Sequence, residues 1–131
     1  MPILVDRFLE QVVRWAEARP DIEAIALVGS QARARPQPDS DIDLLLLTDD
    51  APAYVEDPAW IHAFGEVDRY QEEDWGEVIS VRVWYRHGPE AEFAIAGASW
   101  ARLPMDPGTR RVVAGGFRVL MDRTGRLSML A

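Results

Sequence analysis

The chain contains no cysteine and no lysine, and only two histidines in 131 residues. Without cysteine there are no disulfides and no thiolate metal sites, and a reducing cytoplasm is the expected compartment. Without lysine there is neither a P-loop lysine nor a Schiff-base lysine. His62 and His87 have no second histidine beside them in sequence, so zinc is not expected. Positive charge is scarce: 14 arginines against 22 acids leave a formal net charge of −8. Such a chain gains nothing from the counterion release that drives unspecific binding to DNA or RNA, so extended nucleic acid is not an expected partner. Long apolar runs are missing at the N-terminus, where Asp6 and Arg7 interrupt MPILVDRFLEQ. That stretch reads as neither a signal peptide nor a membrane span.

What is present suits a single α+β domain over residues 1–131. Hydrophobic residues make up 48% of the chain, enough for one core without cross-links. Residues 3–18 place Val5, Leu9, Val12 and Ala16 at helical spacing, with Leu4 and Phe8 widening the stripe and Pro20 closing it. Residues 22–28 are a short apolar run ending in Gly29-Ser30, which predicts a buried strand and a tight turn. Residues 31–35 fit one helical turn, stopped by Pro36 and Pro38. Residues 41–48 predict a strand that is apolar on both faces after Asp43, hence central in the sheet. Residues 49–56 read as a loop, and Asp57 caps a short helix over 58–64. Residues 77–86 and 91–96 predict a hairpin around His87-Gly88-Pro89-Glu90. A helix over 108–114, ended by Gly115-Gly116, and a strand over 117–121 complete a mixed sheet flanked by helices.

The chemistry concentrates in GSQARARPQPDSDIDLLLL, residues 29–47. Asp41 and Asp43 are two apart on a strand and share a face. Two adjacent carboxylates repel unless a cation sits between them, and a hard divalent ion prefers such oxygen ligands. A polar strand entrance facing water explains Asp-x-Asp equally well when it stands alone. An EF-hand fits poorly, because its sixth position needs Gly and is Leu44. Dehalogenase-type and sugar-transferase Asp-x-Asp motifs close a strand, whereas this one opens a strand. Gly29 lets backbone approach a phosphate, and the following turn can present free N–H groups to it. Gly-Ser ending one strand and Asp-x-Asp opening the next is a combination that chance rarely supplies.

This segment resembles the signature of the DNA-polymerase-β nucleotidyltransferase superfamily, in which Gly-Ser and Asp-x-Asp are separated by about ten residues. Gly-Ser-x-Ala-Arg followed by Ser-Asp-x-Asp-Leu is similar to the minimal nucleotidyltransferases of prokaryotes and to some antibiotic nucleotidyltransferases. Many minimal members carry Gly after that Arg, where this chain has Ala34. The resemblance implies the nucleotidyltransferase fold and a third carboxylate on a later strand. Glu92 is the candidate, since Ala94 and Ala96 share its face while Phe93 and Ile95 lie opposite; Glu90 is the competitor in the turn. It further implies two Mg²⁺ ions about 3.5–4 Å apart held by Asp41, Asp43 and Glu92. A nucleoside triphosphate, ATP by family default, would be held by Gly29, Ser30 and Arg33. NMP would pass to a hydroxyl on a protein partner or small molecule. An antitoxin-like partner subunit of weak or no turnover, and an aminoglycoside-type antibiotic nucleotidyltransferase, are the alternatives. A helical partner protein or a second copy would complete the acceptor site.

Two features remain outside the motif. Trp15, Trp60, Trp75, Trp84 and Trp100 read as core or core-edge anchors. The acidic run Glu66, Asp68, Glu72, Glu73, Asp74 and Glu77 reads as a solvated surface, or as a dock for a cationic acceptor.

Overall fold

The computed structural model describes residues 3–32, 41–75, 78–101 and 105–130, with Ile3, Leu4, Ser30 and Ala98 described by their backbone alone. Six strands form one sheet in the order β3-β4-β5-β2-β1-β6. They are β1 (Ile22–Val28), β2 (Ile42–Thr48), β3 (Val67–Asp74), β4 (Ile79–Tyr85), β5 (Glu90–Ala96) and β6 (Phe117–Asp122). β2 pairs with β5 in parallel, and the other four pairings are antiparallel. The leucine run of β2 is buried on both faces, as a central strand requires.

One face of the sheet carries α1 (Ile3–Glu17). Its buried residues Val5, Phe8, Leu9, Val12 and Ala16 recur every three or four positions, and this stripe drives the helix onto Ile25, Leu27, Leu44 and Leu46. The same face holds α2 (Ala51–Glu56) and a 3₁₀ helix, Pro58–Phe64. Trp15, Tyr54, Trp60, Phe64 and Phe93 form a continuous aromatic cluster beneath them. Asp57 caps the 3₁₀ helix as expected, accepting from the Ala59 amide at 3.2 Å.

The other face is lined by small residues of the central strands, Ala24, Ala26 and Ala96, beside Leu45 and Leu47. Trp100, Ala101, Leu127 and Leu130 cover them. α3 (Pro107–Ala114) lies on this side and starts at Asp106, whose carboxylate accepts from the Thr109 amide at 3.0 Å. Gly116, at φ +125, turns the chain from α3 into β6. Among the described residues no helix is long and apolar enough to cross a membrane.

The structure departs from the sequence expectation in three places. Residues 51–56 are helical, entered through Pro52 in the first turn and held by buried Tyr54. The acidic run is a solvated surface as expected, with Glu66, Asp68, Glu72 and Asp74 exposed and Glu77 outside the described residues, but the sequence reading expects no strand there. It lies largely on β3, a sheet-edge strand in register with β4 from Val67 to Asp74. Trp75 is 64% exposed and anchors nothing, while Trp60 and Trp100 are buried as expected.

Candidate active site

Strand register places the functional side chains in one row across the sheet. Val28 of β1 lies opposite Asp43 of β2, Asp43 beside Glu92 of β5, and Glu92 opposite Arg82 of β4. Asp41, just before β2, and Glu90, the first residue of β5, sit two residues earlier and so share this face. The face is the one that carries α3.

Gly29 closes β1 at φ +74 and opens the 3₁₀ turn Gly29–Ala32. A Cβ placed on it would stand 2.8 Å from Oδ2 of Asp43, so the carboxylate would have to turn away. The left-handed backbone favours glycine here, and a side chain would in addition displace the Asp43 carboxylate. Its amide donates to the carbonyl of Gly116 at 3.1 Å, tying the turn to the end of α3. A cleft of about 330 Å³ opens here, with Gly29, Asp43, Glu92 and Ala94 on the sheet side and Arg111, Val112 and Gly115 on the helix side.

The electrostatics are those of crowded acids with one cation. Burial, then Glu92 and Asp41, push the Asp43 carboxyl up to about 6, against the pull of Arg82. Burial and then Glu90 also raise Asp41, although Arg82 opposes this. Arg82 Nη1 donates to Asp41 Oδ2 at 2.8 Å and to Glu90 Oε2 at 2.6 Å, and Nη2 donates to Glu92 Oε2 at 2.5 Å. Its hydrogen bond to Glu90 raises the guanidinium pKa further, against burial, with help from Glu92 and Asp41.

Two carboxylates that could hold a cation are thus adjacent. Asp43 and Glu92 form a hard-oxygen pair in the same cleft as Gly29, a donor set that suits a divalent ion. Among the described residues, however, no three acids or histidines converge as a ready-made metal-ligand group. Arg82 stands where Asp41 and Glu92 would otherwise meet.

Gly29, Asp43 and Glu92 line one cleft, whereas Asp41 lies outside its lining and is joined to Glu92 through Arg82. Of Ser30 the backbone lies in the turn; its side chain, and the whole of Arg33, fall outside the described residues. Sequence reasoning missed Arg82, the strand position of Glu90, and Arg111. The hairpin held the signal for the first two. Trp84 pairs with Glu90, so Arg82 falls opposite Glu92, but placing the turn at 87–90 shifts that register.

Comparison with known proteins follows the geometry. A family model described as streptomycin adenylyltransferase matches residues 5–86, which takes in Gly29, both aspartates and Arg82 but stops short of Glu92. The crystal structure of an aminoglycoside 6-adenyltransferase from Bacillus subtilis superposes with a TM-score of 0.57 at 15% identity. That match covers 72% of this chain and 35% of the enzyme. The conserved protein GrpB from Enterococcus faecalis superposes with a TM-score of 0.54 at 14% identity, over 74% of this chain and 58% of its own. The chain therefore spans about a third of the first structure and somewhat over half of the second. No curated protein matches the sequence. At these identities the superpositions show the fold, a mixed sheet flanked by helices of the nucleotidyltransferase type. The family match covers more than half the chain and contains the Gly-Ser turn and the Asp-x-Asp strand, so the chain belongs to the streptomycin adenylyltransferase family and to the nucleotidyltransferase superfamily around it.

Proposed function

We propose that this chain is a Mg²⁺-dependent nucleotidyltransferase that moves AMP from ATP to a hydroxyl on a protein partner or a small molecule. The observation that carries this reading is the pairing of Asp43 with Glu92 on adjacent parallel strands, beside a glycine in a left-handed turn. Asp41, Asp43 and Glu92 would hold the metal, which when bound would neutralise the triphosphate and make the acceptor hydroxyl more acidic. The raised pKa of Asp43, due first to burial and then to Glu92 and Asp41, marks a carboxylate that a cation would relieve. Gly29 would let the triphosphate approach the backbone, with Ser30 and Arg33 beside it. Arg111 is exposed on the helical wall of the same cleft and would reach the phosphates. The acceptor oxygen would attack the α-phosphorus, pyrophosphate would leave, and the hydroxyl proton would pass to Glu92. Positioning and charge stabilisation would supply most of the rate.

The acidic run contributes less to an acceptor dock than its composition suggests. Glu66 and Asp68 pair with Arg86 at 3.1 and 3.2 Å, and Glu73 lies 3.8 Å from Arg82 on the face of the site. A cationic acceptor would meet Glu73 at the rim.

One observation favours a second reading, a partner subunit with little turnover. Arg82 already gives Asp41, Glu90 and Glu92 a counter-ion, so the acid set is stable without catalysis. Labelled nucleoside triphosphates with Mg²⁺ and lysate separate the two readings: transfer of label to any molecule establishes an enzyme. Binding is tested by melting temperature. Mg²⁺ with a non-hydrolysable ATP analogue should stabilise the wild type by about 2.7 kcal/mol at a hundredfold excess over Kd. Asp41→Ala and Asp43→Ala should fold and lose the shift. An equal shift in all three proteins would remove the aspartates from the metal site.

A further inference from the structure

Arg82, next to Glu92 of the cleft, is a cation that the proposed transfer leaves without a part. It projects from the middle of β4 with its side chain 27% exposed, and it donates to Asp41, Glu90 and Glu92 at once. Two of these three, Asp41 and Glu92, are also two of the three carboxylates assigned to the metal. The guanidinium takes one oxygen of each, Asp41 Oδ2 and Glu92 Oε2, so a cation placed among these carboxylates must share them with a positive charge a few ångströms away or displace it. Arg82 donates no hydrogen bond to Asp43, the acid pressed against Gly29. Five carboxylates, those of Asp41, Asp43, Glu73, Glu90 and Glu92, act on this one arginine or on one another.

We propose that Arg82 is a built-in counter-ion that holds the acid set together in the free protein and yields Asp41 and Glu92 to an incoming divalent cation. The inference rests on the metal site proposed above. A dication held by Asp43, Asp41 and Glu92 would repel a guanidinium bonded to two of the same groups, so the two compete for the same carboxylates. The released guanidinium has a second seat prepared. Glu90 remains its partner, and Glu73 stands 3.8 Å from Nε, just beyond a hydrogen bond. A short swing toward β3 exchanges the Asp41 and Glu92 contacts for a closer one to Glu73. Metal loading and arginine release are then one event, and the free protein binds metal weakly until something favours the switched state.

Mn²⁺ binding without nucleotide, followed by electron paramagnetic resonance, tests the competition directly. Arg82→Gln removes the charge and leaves an amide in its place. The variant should melt below the wild type in EDTA, and it should bind Mn²⁺ at least tenfold more tightly. Mn²⁺ affinity equal to or weaker than that of the wild type overturns the proposal, because Arg82 would then be a positioning residue that builds the metal site. Absence of Mn²⁺ binding in both proteins, with or without the ATP analogue, overturns the metal reading itself and the counter-ion with it. Should Arg82→Gln fail to fold, the wild type answers alone through the ¹⁵N signal of its Arg82 Nε–H. That signal should move in step with Mg²⁺ saturation, and a signal unmoved at saturation overturns the release.

Discussion

Asp43 shows how one residue can weaken a fold and still be kept. Its carboxyl titrates at about 6 in the folded protein, against 3.8 in the unfolded chain. A group with a raised folded pKa stabilises the native state fully below the unfolded value and loses that contribution as pH rises through the folded value. Above pH 6 the metal-free protein therefore carries a penalty of roughly 1–3 kcal/mol, discounted for a site partly open to solvent. In EDTA at pH 7.5, Asp43→Asn should melt at or above the wild type, and the difference should vanish near pH 4. A clear loss of stability at pH 7.5 would make Asp43 a structural partner. Gly29→Ala is expected to act in the opposite sense. Its left-handed backbone alone costs about 1–2 kcal/mol for a residue with a Cβ, and the new methyl meets Asp43. Urea denaturation should show that loss, and the ATP-analogue shift should vanish with it; a variant of wild-type stability and binding would leave Gly29-Ser30 as an ordinary turn. At this scale the acids were legible because strand alternation is a property of neighbouring residues. Arg82 was not, because its three carboxylates come from β5 and the approach to β2, and only the assembled sheet brings them together.

Element boundaries depend on residues far away in sequence. The last turn of α1 leaves carbonyls that no helix amide satisfies. Arg123, just past β6, donates from Nη2 to Ala16 at 3.0 Å and Glu17 at 2.9 Å, and from Nε to Ile22 at 2.9 Å. Arg123→Met should cost about 1–3 kcal/mol, the range for hydrogen bonds to a charged group. Chemical denaturation would measure it, and nucleotide binding should be unchanged because these contacts lie at the helix end. A cost below a few tenths of a kcal/mol would mean water replaces the guanidinium. The helices α1 and α3 and five of the six strands were readable from period, caps and glycines. β3 was hidden because an edge strand need not alternate: Asp68, Tyr70, Gln71 and Glu72 are all exposed, so no buried face marks its period. α2 was hidden by its length of six residues, too short for a helical stripe.

The whole molecule carries a net charge of −8 around an acidic cleft. A cationic acceptor would feel this field, while a metal-bound triphosphate would feel mostly the local ligands. Charges are screened beyond about 8 Å at physiological ionic strength. The acceptor KM should therefore rise steeply between low and moderate salt, while nucleotide binding changes little; an acceptor KM indifferent to salt would show that the acidic surface has no part in recognition. A different consequence follows from the parallel pairing of β2 with β5. Asp43 and Glu92 meet only after the chain between Thr48 and Glu90 has folded into α2, β3 and β4 and returned to the sheet. Closing so long a loop is slow, and contacts of high sequence separation limit the rate of folding. Strand pairing sets that barrier, and a ligand that needs the packed side chains of the finished cleft binds only beyond it. Nucleotide with metal would leave the refolding rate unaltered and act almost wholly by slowing escape from the native state. Ligand would thus lengthen the protein's lifetime against proteolysis without hastening its birth.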